Sequence, residues 1–430
     1  MQPVPLASHR INNSMPLGLY ISVPFCRTKC SYCNFASGVF SKPAYENYVG
    51  RVLEDIASSR HLAAELGCAL DASADSVYLG GGTPSILDAA QLLRIFAVVR
   101  GQFAITPDAE ITVECAPGTL TSALIETLVQ CGVNRVSLGV QSFVDQEAQS
   151  VGRLHKRATV LEEIGRLRAA GLGNINIDLI AGLPHQTAES WRFSLSETIA
   201  TGAPHVSVYM LEVDDDSRLG RELIAGGARY HAHFVPNDDA TADFYQQACE
   251  MLTAAGLAQY EISNFARAAT ESRDNELQSN ESRHNLKYWT RQPYIGFGVD
   301  AHSMLAVDHH EAGRPMAVRF ATPDSLDAYM NRALHTVTPV SAQAAIEESF
   351  FLGLRLNRGV DLESLRREFS SEQDFNQDAA AVWESAVKQS VHEGLLEQQG
   401  TTVRLTARGR LLSNEVFARF LAEEKVGTGT

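Results

Sequence analysis

Short runs rich in β-branched residues alternate with longer amphipathic stretches along the first part of the chain, and the alternation repeats six times. The apolar runs are 17–23, 76–80, 110–115, 135–141, 174–183 and 205–211. Between them, 44–66, 88–100, 120–131, 158–170 and 188–199 place apolar residues at helical spacing. Strand followed by helix, repeated, predicts parallel strands joined by right-handed crossovers. Six units, where a closed barrel has eight, predict an α/β fold built on an incomplete parallel (β/α)6 barrel. In such sheets the working groups sit on loops at the C-terminal ends of the strands.

The rhythm divides the chain. Residues 1–14 read as a flexible polar leader, 15–255 as the partial barrel, 256–339 as a connecting region, and 340–425 as a smaller accessory domain. Within the connecting region, 270–283 is polar without an apolar period and reads as a surface loop. The last block has helical patterns at 342–356, 362–369 and 379–393, then a strand pair about Gly400 and a final helix over 407–424. Helices with a small β-wing resemble a winged helix.

Composition narrows the function classes. A chain of 430 residues with 45% hydrophobic content can bury one large core and a smaller one. A formal net charge of -15 argues against nucleic-acid backbone binding and against adsorption to an anionic membrane. Seven dispersed cysteines do not make a disulfide framework. The N-terminal sequence has no apolar signal region, and no window reaches the length of an apolar membrane span. These features predict a soluble protein of the reducing cytoplasm.

Candidate chemistry falls on one rim of the expected barrel. Cys26, Cys30 and Cys33 are separated by three and then two residues on the loop after the first run. Three such thiolates can hold a 4Fe-4S cluster and leave one iron without a protein ligand. A zinc site completed by a distant histidine, or plain core thiols, is the competing reading, and spacing alone leaves the two evenly balanced. Gly80-Gly81-Gly82-Thr83-Pro84 follows the second run, where glycines let a ligand approach the backbone closely. Glu114, Gln141 and Asp178 lie at or near the ends of the next three.

With these motifs in order, the chain resembles the radical SAM superfamily, and within it the group containing oxygen-independent coproporphyrinogen III oxidase and the HemW-type heme chaperones. The resemblance is carried by LYISVPFCRTKCSYCNF, YLGGGTPS, ITVECAPGTL, GVNRVSLGVQSF, GRLHKR, NIDLIAGLPHQT, HVSVYMLEV, YEISNFA, RHNLKYW, GFGVDAHS and LTARGRLLSNEVF. It implies S-adenosylmethionine chelating the open iron of a 4Fe-4S cluster held by Cys26, Cys30 and Cys33. It also implies a cofactor site of Tyr20, Tyr32, Gly81, Gly82, Thr83, Glu114, Gln141, Arg153 and Asp178. Carboxylates suit the cofactor's ammonium, ribose hydroxyls and sulfonium, and Arg153 suits its carboxylate.

Two departures separate the subclasses. The oxidases carry a further cysteine two residues after the third cluster ligand, where this chain has Phe35. It also has the HemW-type pattern His284-Asn285-Leu286-Lys287-Tyr288-Trp289. A neutral imidazole can ligate heme iron and aromatic rings offer faces to a porphyrin, so His284, Asn285, Tyr288 and Trp289 form the expected heme site, with His302 as another candidate ligand. Ser22 and Ala116 replace a histidine and an asparagine usual in the family.

The reading is a heme chaperone on a radical SAM scaffold, lacking coproporphyrinogen oxidase activity. It would deliver heme to an acceptor such as a membrane-associated respiratory hemoprotein, as a monomer or a homodimer. The alternatives are an oxygen-independent coproporphyrinogen III oxidase and a zinc-stabilised binding protein.

Overall fold

The computed structural model describes residues 15–271, 277–308, 315–369 and 377–421. The expected leader 1–14, residues 272–276 of the expected surface loop and residues 422–425 lie outside them. Six parallel strands run in chain order through one sheet: β1 (Leu17–Val23), β2 (Ser73–Gly81), β3 (Ala104–Cys115), β4 (Arg135–Gln141), β5 (Asn174–Ala181) and β6 (His205–Met210). Helices such as Lys42–Glu65, Ala89–Gln102 and Ala188–Thr201 make the crossovers. Asp88 starts one of them by a capping box: its carboxylate accepts the Gln91 N–H at 2.9 Å, and the Gln91 side chain accepts the Asp88 N–H at 3.1 Å. Gly202, at φ 67°, ends another in the left-handed turn that glycine adopts without strain. The incomplete α/β barrel expected from the sequence is the fold found.

Successive strand residues face opposite sides of a sheet. Ile175, Ile177 and Leu179 of β5 are fully buried in the core that also takes in the crossover helices, whereas Asn176 and Asp178 line the interior. The register makes that interior polar. Tyr20 stands level with Tyr78, Tyr78 with Thr112, and Thr112 with Arg135, while Ser137 stands level with Asn176 and Asp178 with Ser207.

The sheet continues beyond the six strands. Tyr294–Phe297 pairs parallel to β1, and His302–Ala306, Ala317–Ala321 and Thr336–Val340 follow antiparallel. On the other edge Asn264–Arg267 pairs antiparallel to β6, and Leu257–Gln259 pairs with it. Much of the stretch expected to connect two domains is therefore sheet, and the sheet has twelve strands among the described residues.

A second core gathers Phe350, Leu365, Trp383, Val403 and Phe420 with Tyr294, Met304 and Val340 of the extended edge. Its own three-stranded sheet comprises Val360–Asp361, Leu396–Gln399 and Thr402–Leu405. The last helical region is two short helices, Ala407–Leu411 and Ser413–Ala418, where the sequence predicts one. No helix among the described residues is long and apolar enough to cross a membrane.

Candidate functional site

The loop after β1 is held from several sides. The Cys26 N–H donates to Gly38 O at 2.9 Å, the Ser31 N–H to Val151 O at 3.1 Å, and Ser31 O accepts the Leu219 N–H at 2.8 Å. The Thr28 hydroxyl donates to Gly152 O at 3.0 Å. Phe25, just before the first thiol, is fully buried and stacks on Tyr45 at 4.1 Å. Cys26, Cys30 and Cys33 are unbridged, half-buried, and line one cavity of about 330 Å³.

The glycine turn after β2 is tied to the same loop. The Gly82 N–H donates to Val23 O at 2.9 Å and the Thr83 N–H to Phe25 O at 2.8 Å. A Cβ on Gly82 would lie 2.7 Å from Val23 O, so the approach requires glycine. The Thr83 hydroxyl reaches Cys26 Sγ at 3.7 Å. Burial pushes the Cys26 thiol up, the Thr83 and Ser37 hydroxyls pull it back, and Cys33 and Cys30 add to the rise. A metal held there would take the thiolate and release its proton.

Among the described residues, no three His, Cys, Asp or Glu side chains gather around a point that could hold a single metal ion. Zinc draws its ligands to within about 2.0–2.3 Å of one centre. A cubic cluster spreads its thiolates over separate irons, and the three thiols here line one cavity.

Deeper in the cavity, the strands supply charge. Glu114 accepts the Tyr78 hydroxyl at 2.8 Å and the Gly81 N–H at 3.2 Å. Burial, then the neighbouring Asp178, pushes its carboxyl up to about 7 against those two hydrogen bonds. Asp178 accepts the Ser137 hydroxyl at 3.0 Å and the Asn176 amide at 2.7 Å. Burial raises its carboxyl too, and these partners pull it back. Arg153 donates from Nη2 to the Tyr32 hydroxyl at 3.2 Å, while its buried Nε has no hydrogen-bond partner among the described residues. A guanidinium lining a cavity with a spare N–H fits a ligand carboxylate, and the two carboxylates fit an ammonium. Gln141, held at φ 69°, lines the same space.

A second chamber of about 470 Å³ adjoins the first, and Phe35, Tyr78, Gly81, Glu114, Tyr209 and Asn285 line both. Tyr20 lies here, stacked on Tyr78 at 6.2 Å, and does not line the inner chamber. The helix Arg283–Trp289 brings His284, Asn285 and Tyr288 to this wall. Trp289 lies elsewhere, under the Arg355 guanidinium at 4.3 Å. His284 is buried between the Ser76 hydroxyl, 3.0 Å from Nδ1, and the Tyr288 hydroxyl, 2.8 Å from Nε2. His302 stands on the rim.

Several site residues escaped the sequence reading: Tyr78, which holds Glu114; Ser137 and Asn176, which hold Asp178; and Arg135, buried on the inner cavity wall. Their signal is present in the polar/apolar alternation of SVYLG, RVSLGVQ and NINIDLI, since a polar residue at every second position of a barrel strand points inward.

Residues 20–196 match the radical SAM superfamily and 340–412 the HemN C-terminal domain. The chain is similar to the heme chaperone HemW of Bacillus subtilis, with 31% identity covering 94% of this chain and 99% of that one. It is likewise similar to HemW of Escherichia coli, with 30% identity covering 95% and 99%. Its fold matches the structure of Escherichia coli coproporphyrinogen III oxidase (HemN) with a TM-score of 0.75 over 96% of this chain and 92% of that one, at 22% identity.

Proposed function

This chain belongs to the HemW heme chaperone family within the radical SAM superfamily, and on that premise we propose that it binds heme and passes it to an acceptor hemoprotein. One observation supports this reading most: two adjoining chambers share a wall, one ringed by three thiols and the other by aromatic rings. The radical SAM fold implies a 4Fe-4S cluster and S-adenosylmethionine. Cys26, Cys30 and Cys33 would hold the cluster. Glu114, Gln141, Arg153 and Asp178, with Gly81, Gly82 and Thr83, would hold the S-adenosylmethionine, and Tyr32 would keep Arg153 in place. The pair, when bound, supplies one-electron chemistry. The chain's own part is to orient the pair and exclude water.

Heme would lie in the outer chamber against Tyr20, Phe35, Tyr209 and Tyr288, with Asn285 at the boundary between chambers. His284 would set the wall, and Trp289, under the Arg355 guanidinium, lies outside it. Phe35 occupies the position where the related oxidases carry a cysteine, and this favours cargo binding over propionate oxidation. The free state of all seven cysteines suits a reducing compartment, the cytoplasm, from which heme would pass to a respiratory acceptor.

Hemin titration of anaerobically reconstituted protein, run beside an assay of coproporphyrinogen III with S-adenosylmethionine and reductant, tests the reading. Saturable hemin uptake without turnover is expected. Turnover, or no hemin uptake, would overturn it.

A further inference from the structure

We propose that His302 supplies the nitrogen that ligates heme iron in the outer chamber, and that His284 is a positioning residue for the chamber wall. The proposal rests on the heme-carrying reading above and narrows it to a ligand.

Heme iron takes the lone pair of a neutral imidazole nitrogen that can face it. His284 has none to offer. Its ring is buried, and both nitrogens are occupied by the Ser76 and Tyr288 hydroxyls. It also packs against the backbone of β1, where a Cβ added at Gly18 would come 3.3 Å from its Cε1. Turning it toward a ligand would break two buried hydrogen bonds and open the wall.

His302 is placed the other way. Its side chain is 69% exposed, and no hydrogen bond to its ring is found among the described residues. Its backbone is nonetheless fixed, because it opens the strand His302–Ala306 and pairs with Ala321. Strand alternation sends the next residue, Ser303, inward, where its hydroxyl accepts the Gly296 N–H at 3.0 Å, and leaves His302 facing the chamber.

Asp300 lies beside the ring, Oδ1 3.7 Å from Nε2. A carboxylate next to a metal-binding imidazole helps to orient it. Asp300 reaches this place through a left-handed backbone, φ 54°, uncommon for a residue other than glycine and held by its N–H donating to Pro323 O at 2.9 Å. The chamber, about 470 Å³, falls within the roughly 300–1,000 Å³ of cofactor-sized sites. Tyr209, 43% exposed on the same chamber, is the competing donor, and a phenolate gives a different spectrum from an imidazole.

The test uses full-length, cluster-loaded protein and hemin. Electron paramagnetic resonance and near-infrared magnetic circular dichroism report the axial ligand directly, and a titration gives the dissociation constant. Wild type is expected to show a nitrogen-ligated heme. His302→Ala should lose that signature and bind hemin about tenfold or more weakly, and His302→Gly should regain the signature on addition of imidazole. His284→Ala, whose folded fraction is checked by circular dichroism, should keep it. An unchanged ligand signature in both His302 variants overturns the assignment and leaves the cargo reading standing. Wild type that takes up no hemin overturns both.

Discussion

The Tyr288 hydroxyl lies 2.8 Å from Nε2 of His284, one helical turn away, and closes a buried chain that begins at Ser76. Burial, then the Lys287 and Arg135 cations, push the His284 imidazole down to about 3. The unfolded chain takes up a proton near the ordinary histidine value of 6.5, but the folded chain does not until far lower pH. The stabilisation is therefore complete above about 6.5 and is lost as pH falls toward about 3. The slope is about 1.4 kcal/mol per pH unit for each such histidine. His155, pushed down to about 4 by burial and Arg153, adds to it. Urea midpoints measured between about pH 7.5 and about pH 5 should fall steeply for wild type and less steeply for His284→Gln, which starts lower. Parallel slopes would contradict the assignment.

Glu114 sits where an ammonium would be held, and its carboxyl is pushed up to about 7 by burial and Asp178. A cation binds the ionised form. Affinity for S-adenosylmethionine should therefore weaken as pH falls through about 7, by up to about tenfold per pH unit. In Glu114→Gln the affinity should be lower at alkaline pH and nearly flat with pH. Calorimetric titration at several pH values checks this.

Phe35 is 64% exposed and lines both chambers. A flat ligand in the outer chamber would cover that ring. Phe35→Ala should weaken hemin binding by about 5- to 30-fold, equivalent to about 1–2 kcal/mol, and leave iron and sulfide content unchanged. Loss of the cluster along with hemin would show that Phe35 supports the loop instead.

Glu348 joins the second core to the chamber wall. Its carboxylate accepts from Arg291 Nε at 2.9 Å and Arg319 Nε at 2.8 Å, and Arg319 also donates to the Tyr294 hydroxyl at 3.1 Å. Tyr294 packs edge-on against Tyr288 at 4.6 Å. Glu348→Leu removes the anion shared by the buried Arg291 and the one-third-exposed Arg319, which should cost about 1.5–3 kcal/mol in urea unfolding. A loss below about 1 kcal/mol would mean that water screens the group.

The repeating barrel units were legible because each strand buries one face against helices and each helix repeats an apolar stripe. The thiol loop and glycine turn were legible because their spacing is local. The extended sheet edge was not. Tyr294–Phe297 and His302–Ala306 are short strands, and Gly298 through Ala301 separate them, so neither shows a period of its own. Trp289 was grouped with the other motif residues by sequence. In a helix it stands about 100° from Tyr288, and that angle sends it to Arg355. The roles of His284 and His302 could not be told apart either, since which nitrogen is occupied depends on Ser76, more than two hundred residues away.

Native mass spectrometry of anaerobically reconstituted protein mixed with hemin measures most directly whether the two chambers hold their contents together. The expected spectrum contains one chain carrying both a 4Fe-4S cluster and one heme. A spectrum in which every chain carries one or the other, never both, would contradict the account.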